Sequence, residues 1–164
     1  MQIRPAGQND IPAILEIIES ARQVMRETGN TGQWGHGYPS QSVIECDINA
    51  NYGFVCETEG EAVGYFCLMI GLDIDPNYFV IESGRWLNEE PYGVIHRLAS
   101  SRKAKGIAKA AFDFAFSKIQ NIRVDTHRDN LPMQNFLKKS GFTYCGTVYV
   151  GDGTARDAFQ KVQM

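Results

Sequence analysis

The run Arg97-Leu98-Ala99-Ser100-Ser101-Arg102-Lys103-Ala104-Lys105-Gly106-Ile107-Ala108-Lys109 carries five cations and no acid, in a chain whose net charge is −3. It overlaps the end of an apolar, strand-like stretch from Val94 to Ala99 and opens a helical pattern through Ala110, Ala111, Phe112, Phe114, Ala115 and Phe116. Cations crowded at a helix start oppose the helix dipole, whose positive end disfavours them. The arrangement becomes favourable when phosphates sit among them, held also by the free N–H groups of the first helical turn. Gly106 and the small Ala108 let the backbone approach such a ligand closely. A solvated basic loop ahead of an ordinary helix is the alternative; strand, basic turn, glycine and helix together favour a phosphate-binding turn.

Outward from this turn, 164 residues that are 43% hydrophobic and 21% charged suit one globular domain, residues 1–164, with a sizeable core. A pI near 5.6 argues against general nucleic-acid binding, which needs a broad basic face, and leaves room for one local cleft holding a small polyanion. Cys46, Cys56, Cys67 and Cys145 lie far apart without a C-x-x-C pair, and three of them sit in apolar runs. They are expected to be reduced core thiols. The start Met1-Gln2-Ile3-Arg4-Pro5 lacks the pattern of a secretory leader, and no apolar run approaches the ~18 residues of a membrane span. The expectation is a cytoplasmic protein without a membrane partner.

Met1 to Pro5 reads as a short strand, and Asp10 as the cap of a helix through Ile11, Ile14, Leu15, Ile18, Ala21 and Met25 that ends near Gly29. Gly29 to Ser40 holds four glycines with Trp34, His36, Tyr38 and Pro39, too irregular for a regular element and too aromatic for an inert linker. Ser40 caps a second short helix through Ile44 and Ile48. Phe54 to Thr58 and Ala62 to Leu72 form an antiparallel hairpin around Glu59-Gly60-Glu61; Asp73 to Asn88 carries no clear signal. The basic-turn helix runs to about Ile119, followed by a strand from Ile122 to Thr126 and a helix from about Leu131 to Ser140, closed by Gly141. Phe142 to Val150 and Ala155 to Val162 make a final hairpin across Gly151-Asp152-Gly153. This order predicts a single-domain α/β fold: a mixed, mostly antiparallel sheet flanked by helices.

With that layout, Lys103-Ala104-Lys105-Gly106-Ile107-Ala108 resembles the Q/R-x-x-G-x-G/A acetyl-coenzyme A motif of the GNAT superfamily of N-acetyltransferases. Asn130-Leu131-Pro132-Met133, then Phe136, then Lys139-Ser140-Gly141-Phe142 resemble the family's second block, an Asn followed by a helix ending in Gly-Phe. The resemblance implies acetyl-CoA as cosubstrate, no metal, and direct transfer to a primary amine of a small molecule or peptide. It implies coenzyme contacts at Leu98, Ala99, Ser100, Lys103, Ala104, Lys105, Gly106, Ile107, Ala108 and Asn130, with Met133 and Phe136 lining the coenzyme arm. The backbone around Leu98 to Ser100 would pair with that arm and offer an N–H to the thioester oxygen. Lys103 stands where the family usually has Arg or Gln, and still serves a phosphate as a point charge. Leu137 stands where many members carry the tyrosine that protonates the coenzyme thiolate; Tyr144, Cys145, Tyr149 or solvent are the substitutes. A non-catalytic coenzyme A binding or sensing module is the alternative that Leu137 favours. A nucleoside-triphosphate hydrolase is disfavoured, because Ile107-Ala108 follow Gly106 where Lys and Ser or Thr would stand.

An amine is charged at pH 7, so acyl transfer to it needs a base, directly or through water. His127 and His96 are the candidates, His127 first, with Asp125 and Glu82 beside them; alternation puts Asp125 and His127 on one strand face. Either histidine could instead be structural. By resemblance, the loop holding Trp34, His36 and Tyr38 walls the acceptor site, and its aromatics suit an apolar or cationic acceptor. Trp34 and Tyr38 could equally fasten the loop to the sheet. The exposed edge of a mixed sheet makes a homodimer possible.

Overall fold

A computed structural model describes residues 1–164. Its centre is a seven-stranded sheet in the order β1-β2-β3-β4-β5-β7-β6. The strands are β1 (Gln2–Pro5), β2 (Gly53–Thr58), β3 (Glu61–Gly71), β4 (Tyr92–Ser100), β5 (Asn121–Thr126), β6 (Thr143–Tyr149) and β7 (Ala155–Val162). All neighbours are antiparallel except β4 and β5. The helices are α1 (Ile11–Glu27), α2 (Gln41–Asn49), α3 (Ile107–Phe116) and α4 (Leu131–Lys139), and none is long and apolar enough to cross a membrane.

Alternation along the strands feeds two cores on opposite sheet faces. Val55 and Tyr65 pack with Ile14, Ile18, Ile44 and Ile48 of α1 and α2, whereas their neighbours Cys56 and Phe66 pack with Ile107, Ala111 and Phe112 of α3 and with Leu137 of α4. The helices therefore cover both faces. Gly64 lets α3 come close: a Cβ there would lie 2.6 Å from Cγ2 of Ile107. A third cluster, Tyr78, Trp86, Tyr92, Val94 and Val148, ties the segment 73–91 to the sheet. That segment, unsignalled in the sequence, holds a short 3-10 turn at Pro76–Tyr78.

Two local expectations need correction. Asp10 stands before α1 without capping it, because its carboxylate is bound by Arg4 at 2.8 Å and by the amide of Gly7 at 2.7 Å. The helix is started by a 3-10 turn, Gln8–Asp10, and by Pro12, whose missing N–H costs nothing in a first turn. The helix after the basic turn stops at Phe116, three residues before Ile119. Ser40 does cap α2, accepting from the amide of Val43 at 3.4 Å.

Candidate active site

Strand β4 sets the site through one irregularity. Tyr65 pairs with Ala99 and Cys67 with His96, so Arg97 and Leu98 together face the single residue Phe66: a β-bulge. Arg97 takes φ of 54°, a left-handed conformation that strains a residue with a Cβ and that the surroundings must hold in place. Asp47 of α2 does so. It accepts from Arg97 Nε at 2.8 Å and Nη2 at 2.6 Å, and from the hydroxyl of Tyr65 at 2.7 Å. Arg97 Nη1 also donates to the hydroxyl of Tyr38 at 3.0 Å, fastening the aromatic loop to the sheet. Arg97 is thus an interior ion-pair residue and no part of the basic turn to which the sequence assigns it.

Beyond the bulge the sheet opens. Parallel pairing of β4 with β5 extends over only two positions, Gly93 with Ile122 and Val94 with Arg123. The diverging strand ends leave a cavity of about 700 Å³ whose walls include Ile95 to Leu98 on one side and Val124 to Thr126 on the other. Trp34, His36 and Tyr38 of the aromatic loop line it, as do Asn130 and Met133 of the α4 start and residues 150–152 of the last hairpin. Asn130 caps α4, accepting from the amide of Met133 at 3.2 Å, and its amide donates to Gln33 Oε1 at 3.0 Å. Phe136 packs one layer behind, its ring 5.4 Å from that of Phe112.

Inside the cavity, His96 is held between two aspartates. Its Nε2 lies 2.6 Å from Oδ2 of Asp75, and its Nδ1 lies 3.9 Å from Oδ2 of Asp125. Asp75 is buried at the foot of the Pro76 turn, where it also accepts from the amide of Asn77 at 3.0 Å. Burial pushes its carboxyl up, but the hydrogen bond and charge of His96 prevail and hold it below the usual carboxylate range. Tyr78 donates to Asp125 Oδ2 at 2.6 Å; burial first, then the Asp125 charge, lift its pKa well above the usual range, so it keeps its proton. A proton on Nε2, shared with Asp75, leaves Nδ1 of His96 as the proton-accepting atom. Thr126 adds a buried hydroxyl with no partner in the cavity wall.

His127 is placed differently. β5 ends at Thr126, and the imidazole turns out of the strand register to accept from the amide of Asp129 at 3.1 Å. It packs under the backbone of Gly32, where a Cβ would lie 2.9 Å from its Nε2, and does not line the cavity. Burial, then the charge of Arg156, lower its pKa. Glu82 pairs through its backbone with Thr147 and accepts from Tyr149, away from the cavity. Tyr144 lies half exposed on β6 against Phe159, Cys145 is buried and raised in pKa by that burial, and none of Tyr144, Cys145 and Tyr149 lines the cavity.

The basic turn continues from β4 to α3. Ala99 and Ile107 bury their side chains in the two cores, so only their backbones face a ligand. Arg102, Lys103 and Lys109 pair with Glu27, Glu61 and Asp113, all at the surface, while Lys105 has no ion-pair partner. Gly106 takes φ of 80° at the N-cap and offers no side-chain cap. The first backbone bond into it comes from Ala110 at 3.0 Å, so the amides of residues 107–109 point outward unpaired. These amides, Lys105 and the open β4 edge suit a coenzyme whose phosphates lie at the helix start and whose arm enters the cleft. Asp75, Tyr78, Thr126, Arg156 and the Asp47–Arg97 pair were not found by sequence reasoning; only the Asp75-Pro76 turn dipeptide gave any sign.

A family model for acetyltransferases of the GNAT family matches residues 14–142. A GNAT family acetyltransferase structure from Streptococcus agalactiae 2603 is 34% identical, with a TM-score of 0.89, covering 99% of this chain and 95% of that chain. Another from Listeria monocytogenes 4b F2365 is 23% identical with a TM-score of 0.72, covering 99% of this chain and 94% of that one, a likeness of fold. No functionally curated protein matches the chain.

Proposed function

The chain belongs to the GNAT acetyltransferase family, and from that premise we propose that it moves the acetyl group of acetyl-CoA directly to the primary amine of a small molecule or peptide, with His96 as general base. The observation that carries this reading is the His96–Asp75 pair, 2.6 Å apart, inside the cleft where β4 and β5 part, one turn of chain from the helix start with free amides. Bound acetyl-CoA supplies an activated acetyl thioester. His96 Nδ1 takes a proton from the acceptor ammonium, and the ionised Asp75 stabilises the imidazolium that results. Tyr78 occupies one oxygen of Asp125 and so fixes the carboxylate that faces the incoming cation. The Arg97–Asp47 pair keeps the bulge, and with it the β4 amides, in position. Leu137 is fully buried and has no proton to give.

Calorimetric titration with acetyl-CoA, coenzyme A and ATP at two salt concentrations tests this. Acetyl-CoA should bind in the micromolar range, more weakly at the higher salt, and ATP should not compete. No binding of acetyl-CoA overturns the reading.

A further inference from the structure

The sheltered arginines of this protein differ in what their nitrogens meet. Arg97 has a bidentate carboxylate in Asp47. Arg123 lies over the rings of Trp86 and Tyr92, at 4.5 and 4.1 Å, and donates through Nη2 to the carbonyl of Asn88, while its Nε, which does not face the cavity, has no partner. Arg156, at the start of β7, is only 8% exposed, yet its one hydrogen bond is a long 3.4 Å contact to the neighbouring carbonyl of Ala155. Its nearest carboxylate, Asp125, stays 4.0 Å away, outside hydrogen-bond distance. The nearby Asp152 turns one oxygen, Oδ1, to the amide and hydroxyl of Thr154 and makes no hydrogen bond to Arg156. Burying a guanidinium without acceptors is costly, and this one lines the catalytic cavity.

We propose that Arg156 receives the carboxylate of the acceptor, and that the acceptor is an α-amino acid or a close analogue carrying amine and carboxylate on one carbon. This rests on the acetyl-transfer reading above. The planar fork of arginine matches a carboxylate in two parallel hydrogen bonds. Asp125 stands between Arg156 and His96, 4.0 Å from the one and 3.9 Å from the other, with Tyr78 engaging only its Oδ2. A zwitterion fits that array: its ammonium rests on Asp125 beside Nδ1 of His96, and its carboxylate on Arg156. A plain amine would leave Arg156 buried and unpaired, and a plain acid would meet Asp125 with like charge. The side chain of such an acceptor faces Trp34, His36 and Tyr38 across the same cavity.

Matched triplets test this: an amino acid, its carboxamide, and the amine lacking the carboxyl group, assayed by thiol release, with acetyl-CoA affinity measured in parallel by calorimetry. The wild-type protein should prefer the amino acid by about 100-fold in kcat/KM, the scale set by losing a hydrogen bond between charged groups. In Arg156→Met that preference should collapse while acetyl-CoA affinity holds, and Arg156→Lys should restore part of it. Equal turnover of carboxamide or plain amine by the wild type, or acetyl-CoA binding with no amino acid acetylated, overturns the inference and leaves acetyl transfer standing. Loss of acetyl-CoA binding by the wild type would take both down.

Discussion

Two stretches of the same chain segment handle charge in opposite ways. Within β4, His96 and Arg97 are sheltered, and each is engaged by an aspartate from a distant element at 2.6 to 2.8 Å. Just past it, Arg102, Lys103 and Lys109 stand in solvent beside acids that they can exchange for other anions, and Lys105 stands alone. Exposed pairs of that kind contribute little and yield to salt, whereas sheltered pairs are hardly screened and are costly to break. The contrast fits a division of labour: the interior groups hold one geometry for proton transfer, and the surface groups exchange partners when a polyanion arrives.

The sharpest way to break that contrast is His96→Ala, which should lower kcat by about 10²- to 10⁴-fold while leaving acetyl-CoA affinity unchanged. Steady-state thiol release set against calorimetry reads both, and full activity would unseat His96. Asp47→Asn should come next, since it strips Arg97 of its countercharge. We expect a loss of about 3 kcal/mol and a Tm lower by roughly 6–12 °C, read by thermal unfolding at two salt concentrations, with little salt dependence. In the surface stretch, Gly106→Glu places an anion at the helix start in a conformation that L residues avoid, though no atom lies within 4 Å of the new Cβ. Acetyl-CoA should bind about 10- to 100-fold more weakly to a protein that still unfolds cooperatively; retained affinity would remove the phosphates from this turn.

The smallest effect concerns His127, which lies outside both groups. Burial and Arg156 lower its pKa, so the folded chain resists a proton that the unfolded chain takes up below about 6.5. Its contribution is present above that pH and is lost as pH falls through it toward the lower folded value. His127→Gln should flatten the decline of Tm between pH 7 and 5, and an unchanged slope would mean that the imidazole is less sheltered than its packing under Gly32 implies.

The turn from β4 into α3 was legible because its signal is local: cations, a glycine and a helical period within twenty residues. The hairpins and α4, with Asn130 before it and Gly141 after it, were legible for the same reason. The acid–histidine cluster was not. Asp75, His96 and Asp125 come from three elements, and the segment holding Asp75 has no period, because it is fixed to the sheet by Tyr78, Trp86 and Tyr92. Strand alternation placed Asp125 and His127 together, but β5 ends between them and the backbone turns away. The bulge at Arg97 likewise has no mark in the sequence, since it arises from the register with β3 and from Asp47, fifty residues earlier.

The short ladder between β4 and β5 has a mechanical consequence. With only two rungs joining them, the sheet behaves as two plates, β1 to β4 and β5 to β7, seamed along one end and gaping at the other. A molecule lying in the gap acts as the missing strand between the plates, so its binding energy becomes resistance to unfolding: at a hundred times its dissociation constant it adds about 2.7 kcal/mol. On the proposed reading that molecule is acetyl-CoA, and the chain would then be most vulnerable to heat and proteases when acyl donors run low.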